Sequence, residues 1–80
     1  MNDNAKKLSA IITRVLEVKE SDINDGMSPE TVPSWDSYNA LMLVSELEAG
    51  FSVHFTIDEV VAVKNVGDIK IALKKHGIDL

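Results

Sequence analysis

Leu8, Ile11, Ile12, Val15 and Leu16 recur at i, i+3, i+4, i+7 and i+8, the spacing of one apolar stripe along a helix. A helix with a single apolar face has to bury it against other elements of the same fold. The chain has 80 residues and no cysteine. A domain of that size buries only about 60% of the surface its unfolded chain exposes. No disulfide can staple it and no thiolate can ligate a metal, so helix packing has to hold it together. A hydrophobic fraction of 45%, a charged fraction of 26% and short apolar runs suit a globular fold rather than a disordered chain.

The stripe predicts a first helix over 3–18. The next stretch, KESDINDGMSPETVPSW (19–35), carries Gly26, Pro29, Pro33 and several Asp, Asn and Ser, and reads as a long loop. Loops of that length are often functional. Calcium does not fit: with Asp22 as first ligand, Met27 stands where an EF-hand loop needs Gly, and Pro33 where it needs Glu. Asp36 is a good N-cap for a second helix running from 36 or 37 to 49. Ala40, Leu43, Val44 and Leu47 share one face of it, Gly50 is the expected stop, and Phe51 is expected to leave the helix and plug the core. Thr56 and Glu59 form a capping-box pattern opening a short third helix over 57–63, with Val60 and Val63 as core contacts. Asn65 and Asp68 are expected to cap a fourth helix over 66–76. Val66, Ile69, Ala72 and Leu73 face inward there, Lys74, Lys75 and His76 suit its C-terminal dipole, and Gly77 closes it. No strand pattern occurs. The expectation is one all-α domain over 1–80: four helices, the third short, with a long loop between the first two.

The net charge of −5 argues against a nucleic-acid partner, which wants a basic footprint. No apolar run approaches the ~20 residues of a membrane span. The opening MNDNAKKLSA lacks the basic-then-apolar layout of a signal peptide, so a cytoplasmic protein is expected. His54 and His76 are the only histidines. They have no cysteine and no i, i+4 pairing to make a zinc site, and no metal is expected. His54 reads as a loop side chain and His76 as a cation at a helix C-terminus. Using Asp36, a histidine and Ser37 as a triad is awkward, because neighbouring residues would have to flank one imidazole; a small hydrolase is a remote reading.

Ser37 stands in the first turn of the second helix. A phosphate attached there would face free backbone N–H groups and the positive end of the helix dipole. Asp36 opposes a phosphate electrostatically, so a covalently attached group suits the site better than a bound anion. An Asp-Ser pair on its own, however, marks no more than a capped helix. The fuller pattern is DSYNALMLVSELEAGFSVHF, with TIDEV and VGDI downstream. Through these residues the whole chain resembles the acyl carrier protein and peptidyl carrier protein family, whose motif Asp-Ser-Leu opens its second helix. The PSWDS lead-in resembles stand-alone carriers that write Trp-Asp-Ser-Leu. The resemblance implies an acyl-carrier-like four-helix bundle that is a substrate carrier, not an enzyme. It implies that Ser37 carries 4′-phosphopantetheine from coenzyme A, whose thiol holds acyl or aminoacyl groups as thioesters. Asp36 is implied as cap and as a recognition point for the phosphopantetheinyl transferase. Further implied partners are a loading ligase or adenylating enzyme and an acyl transferase or synthase; a monomer is expected.

The chain departs from the family in ways that bear on partners. Tyr38 replaces the motif Leu. Asn39 and Met42 occupy positions on the second helix that are acidic in fatty-acid-type carriers, leaving Glu46 and Glu48 as its only charges. Tyr38, Met42, Ser45 and Ala49 are spaced i, i+4, i+7 and i+11 and form a stripe roughly opposite Ala40, Leu43 and Leu47. Val61 stands where an acid is common on the third helix. These residues, with Glu46, are the expected partner surface, and its apolar character points to a specialised lipid, cell-envelope or secondary-metabolite pathway. The acids gather instead near and in the loop, at Glu17, Glu20, Asp22, Asp25 and Glu30. Trp35, the only tryptophan, is expected to pin the loop to the bundle. Leu41, Leu43 and Val44 would line any chain-holding cavity, and equally make an ordinary core. The competing reading is a helical adapter that leaves Ser37 bare.

Overall fold

A computed structural model describes residues 2–80. Its elements are α1 (Asp3–Leu16), a 3₁₀ turn (Glu20–Asp22), α2 (Ser37–Phe51), α3 (Ile57–Ala62) and α4 (Val66–Lys75), with no strand among the described residues. The fold is all-α, four helices with a short third. No helix among them is long and apolar enough to cross a membrane.

Leu8, Ile11, Ile12 and Leu16 bury the predicted face of α1, and Val15 lies half-buried at its edge. Asn2 caps the helix by accepting from the Ala5 amide at 2.8 Å. The helix stops two residues before the expected 18, because Glu17 takes a left-handed conformation (φ 55°). A non-glycine residue there interrupts the helical ladder. The Ser34 hydroxyl donates to the Leu16 carbonyl at 2.6 Å, so a residue of the distant loop satisfies one of the helix's orphan acceptors.

The second helix begins where the Asp36 cap places it, but Gly50 does not end it. It continues through Phe51, which is buried as the last helical residue rather than beyond the helix. A Cβ on Gly50 would stand 3.1 Å from Cδ1 of Ile11, so this glycine serves the approach of α1 to α2 instead. Lys7 donates to the Gly50 carbonyl at 2.9 Å and its Nζ lies 5.2 Å from the Phe51 ring centroid, fastening the same crossing. The stop falls on Ser52, left-handed at φ 55°, whose amide returns to the Glu48 carbonyl.

The loop over 19–35 is long, as expected, but it is not structureless. After the 3₁₀ turn it folds through turns that place Met27, Val32 and Trp35 in the core. Its carbonyls at Asp25 and Met27 accept from the amides of Gly67 (2.9 Å) and Val66 (3.0 Å), the first residues of α4. Two helix-terminal donors thus find partners in the loop. Asp25 also pairs with Lys70 at 2.7 Å.

The third helix ends at Ala62, one residue short of expectation. Both bonds of its capping box form, Thr56 N to Glu59 Oε1 at 2.9 Å and Glu59 N to Thr56 Oγ1 at 3.1 Å. It has no fully buried residue; Val60 and Val63 are half-buried against the core. The fourth helix buries the four residues expected of it, ends at Lys75, and closes through Gly77 at φ 83° with the Ile78 amide on the Leu73 carbonyl. At its start Asn65 caps the Asp68 amide through Oδ1, and the Asp68 carboxylate accepts from the amide of Lys64, one residue before the cap.

Candidate functional site

The geometry around Ser37 is built from the lead-in. Trp35 is only 5% exposed and sinks into the core, while the flanking Asp36 and Ser37 are exposed. Asp36 is extended, and its Oδ1 accepts from the Asn39 amide at 2.8 Å. The first intrahelical bond runs from the Ala40 amide to the Asp36 carbonyl at 2.8 Å, so the amides of Ser37 and Tyr38 lie outside the ladder. The result is an exposed hydroxyl on the first helical residue, beside two first-turn donors and the positive end of a 15-residue helix.

Ser37 also lines an apolar cleft of about 420 Å³ between α2, α3 and α4. Leu43 and Leu47 form one wall, Val60 and Ile69 others, and Trp35 and Phe55 contribute aromatic surface. Leu41, Leu43 and Val44 all line it; Leu43 is buried, Val44 half-buried, and Leu41 an exposed lip. Glu59 is the single ionisable group among the lining residues.

Tyr38, Met42, Ser45, Ala49 and Val61 are exposed, Tyr38 at 70% and Val61 at 68%. Glu46 is half-buried and turned to α1, where it pairs with Arg14. Glu48 accepts from the Phe55 amide at 2.9 Å and lies 3.3 Å from Nδ1 of His54. Asn39, on a position read as part of the outer face, is half-buried and donates through Nδ2 to the Ser34 carbonyl at 2.7 Å. Sequence reasoning missed the exposed Ile57 and the surface exposure of Leu41. Ile57 shares a helical stripe with Val60, but a six-residue helix reaches the core with little more than one turn.

His54 is an exposed loop side chain. His76 is more than a C-terminal cation: it is half-buried, its Nε2 lies 2.9 Å from Glu59 Oε2, and its ring meets Phe55 edge-on at 5.2 Å. The two residues are 17 apart in sequence, so only the packing of α3 on α4 brings them together. The bond from the Thr56 amide is the largest influence and holds the Glu59 carboxyl below its ordinary pKa; burial opposes it, and the hydrogen bond and charge of His76 add to the lowering. A lowered carboxyl pKa contributes stability that is present above the unfolded-state value and is lost as pH falls through the folded value. Wild type is therefore expected to be more stable than Glu59→Gln at neutral pH, with the two denaturation midpoints converging as acid protonates Glu59. Urea unfolding across that range checks it; a gap independent of pH would contradict it. No group of three His, Asp or Glu side chains among the described residues is placed to hold a metal.

Among solved structures, a Mycobacterium tuberculosis protein provisionally assigned as an acyl carrier protein matches this architecture at a TM-score of 0.79. The match covers 89% of this chain and 95% of that one. The bundle has the acyl-carrier fold. At 22% identity the likeness is one of fold. No family model matches the chain, and no curated protein matches it. Within the acyl-carrier fold, Ser37 opens the second helix and the apolar cleft lies beside it.

Proposed function

We propose that the chain is a single carrier domain over 1–80 that bears 4′-phosphopantetheine on Ser37 and shuttles acyl or aminoacyl groups between enzymes. The observation that carries this reading is the exposed Ser37 hydroxyl, on the first residue of α2 and on the lining of an apolar cleft. A phosphate ester there meets the two first-turn amides and the helix dipole. Asp36 is committed to the Asn39 amide as a cap, which reconciles its charge with a phosphate next door. In the modification, a bond forms between Ser37 Oγ and the coenzyme A phosphorus that bears the pantetheine arm. The P–O bond to adenosine 3′,5′-bisphosphate breaks, and the hydroxyl proton passes to a base of the transferase. The arm supplies a thiol that carries cargo as a thioester. The chain itself supplies presentation and an apolar refuge, and is not an enzyme.

The partners in this reading are a phosphopantetheinyl transferase, a loading ligase or adenylating enzyme, and an acyl transferase or synthase. Tyr38, Met42, Ser45, Ala49 and Val61 form the docking strip, with Glu46 at its margin, and an apolar strip of this kind suits enzymes of a specialised lipid, cell-envelope or secondary-metabolite pathway. The same exposed apolar side chains favour the second reading, an adapter that leaves Ser37 unmodified. Intact mass after incubation with coenzyme A, Mg²⁺ and a broad-specificity phosphopantetheinyl transferase separates the two. Wild type is expected to gain one phosphopantetheinyl group and Ser37→Ala none. A folded wild type that gains nothing would replace the carrier reading with the adapter.

A further inference from the structure

We propose that Asn39 is a positioning residue for the Ser37 hydroxyl, acting with Ser34 as a clasp that holds the first turn of α2 to the end of α1. This rests on Ser37 being the modified residue. Three hydrogen bonds run in series. The Ser34 hydroxyl donates to the Leu16 carbonyl at 2.6 Å, the Asn39 side-chain amide donates to the Ser34 carbonyl at 2.7 Å, and the Asn39 main-chain amide donates to Asp36 Oδ1 at 2.8 Å. Asn39 therefore grips the chain at two points before Ser37 while standing two residues after it. Trp35, between those points, is buried in the core. Of the segment 34–39, Asp36, Ser37 and Tyr38 are exposed, and both ends are half-buried and tied.

A helix's first turn is where its backbone is least constrained, since its amides have no intrahelical partner and its ends fray. A nucleophile on that turn gains rate from being held in one geometry, and loss of that hold lowers turnover rather than binding. The clasp needs a donor at position 39. An ionised aspartate has none, and would set a carboxylate against the Ser34 carbonyl. An aspartate in the first turn is nevertheless favourable for the helix dipole, so Asn39→Asp removes the clasp without weakening the start of the helix; because it also restores the acid that fatty-acid-type carriers have at this position, Ser34→Ala is the variant that isolates the clasp. Ser34→Ala cuts the chain at its other link, where the hydroxyl donates to the Leu16 carbonyl.

The test is steady-state modification by a broad-specificity phosphopantetheinyl transferase with coenzyme A and Mg²⁺, using wild type, Asn39→Asp and Ser34→Ala, with melting curves on each. Both variants are expected to lower kcat for the carrier, Asn39→Asp by about tenfold, below the ~100-fold that a 1 Å misplacement can cause. KM is expected to stay within about twofold, as it does when an interaction acts on turnover alone. Wild-type kcat in both folded variants would overturn the clasp. A rise in KM alone for Asn39→Asp, with Ser34→Ala unaffected, would overturn it in favour of a docking contact. A wild type that is not modified at all would fail the carrier reading itself and the clasp with it, a result distinct from either variant's failure.

Discussion

Trp35→Ala is expected to cost the bundle about 3–5 kcal/mol, the usual range for truncating a buried tryptophan. At roughly 0.05–0.15 kcal/mol per residue, the whole stability of an 80-residue domain is of similar order, so the loss is severe. A domain this size loses about 4–8 °C in Tm per kcal/mol, which puts the expected fall above ~10 °C. The side chain is buried among core residues, lines the cleft, and joins the loop to the site. Its removal opens a void where the loop, α2 and the cleft meet, and the backbone bonds of neighbouring Ser34 and Asp36 cannot refill it. The fraction that remains folded at low temperature is expected still to accept modification on Ser37, because the indole is no part of the reacting geometry. Thermal and urea unfolding followed by circular dichroism measure the first part, and intact mass the second. A Tm within a few degrees of wild type would remove the anchor role.

The anchor was legible because a lone tryptophan two residues after Pro33, ahead of a capped helix, has few other uses. The same holds wherever the chain writes its structure locally. Thr56 with Glu59 and Asn65 with Asp68 cap the helices they were expected to cap, and Gly77 takes the left-handed turn that ends α4. Legibility fails where a residue answers to a distant partner. Gly50 looks like a stop, but its missing side chain makes room for Ile11, and the stop passes to Ser52, whose residue type gives no sign of it. The loop carbonyls that meet the start of α4 carry no sequence signal, since every residue has a carbonyl. At the site, Ser37, Asp36 and the exposed stripe could be placed from cap and period. That Asn39 turns back to Ser34, Glu46 to Arg14 and His76 to Glu59 follows only from tertiary packing.

Those pairings lead to the second large effect, on partner docking. The only two acids of α2 are engaged within the chain, Glu46 with Arg14 and Glu48 with the Phe55 amide. What α2 presents beside Ser37 is Tyr38, Leu41 and Met42, and α3 adds Ile57 and Val61. Exposed charges are screened beyond about a Debye length, and a surface ion pair contributes at most ~1 kcal/mol. A desolvated apolar or aromatic contact near the centre of an interface contributes 2 kcal/mol or more at the strongest positions. Alanine at Tyr38 or Met42 is therefore expected to raise the KM for the proposed loading enzyme by about tenfold or more, which corresponds to roughly 1.4 kcal/mol. Alanine at Glu46 is expected to change it by no more than about twofold, since it removes a surface pair. The same enzyme's KM should depend only weakly on salt, whereas docking led by charge would weaken steeply as ionic strength rises. Melting curves guard the comparison, because Met42 is 38% exposed and the rest of its surface is covered by the fold. Equal effects at Met42 and Glu46 in folded proteins would return the partner interaction to electrostatics. A large effect at Tyr38 and Met42 alone would mean that the aromatic side chain next to Ser37 has become a contact, and that the proposed partners are selected by apolar fit.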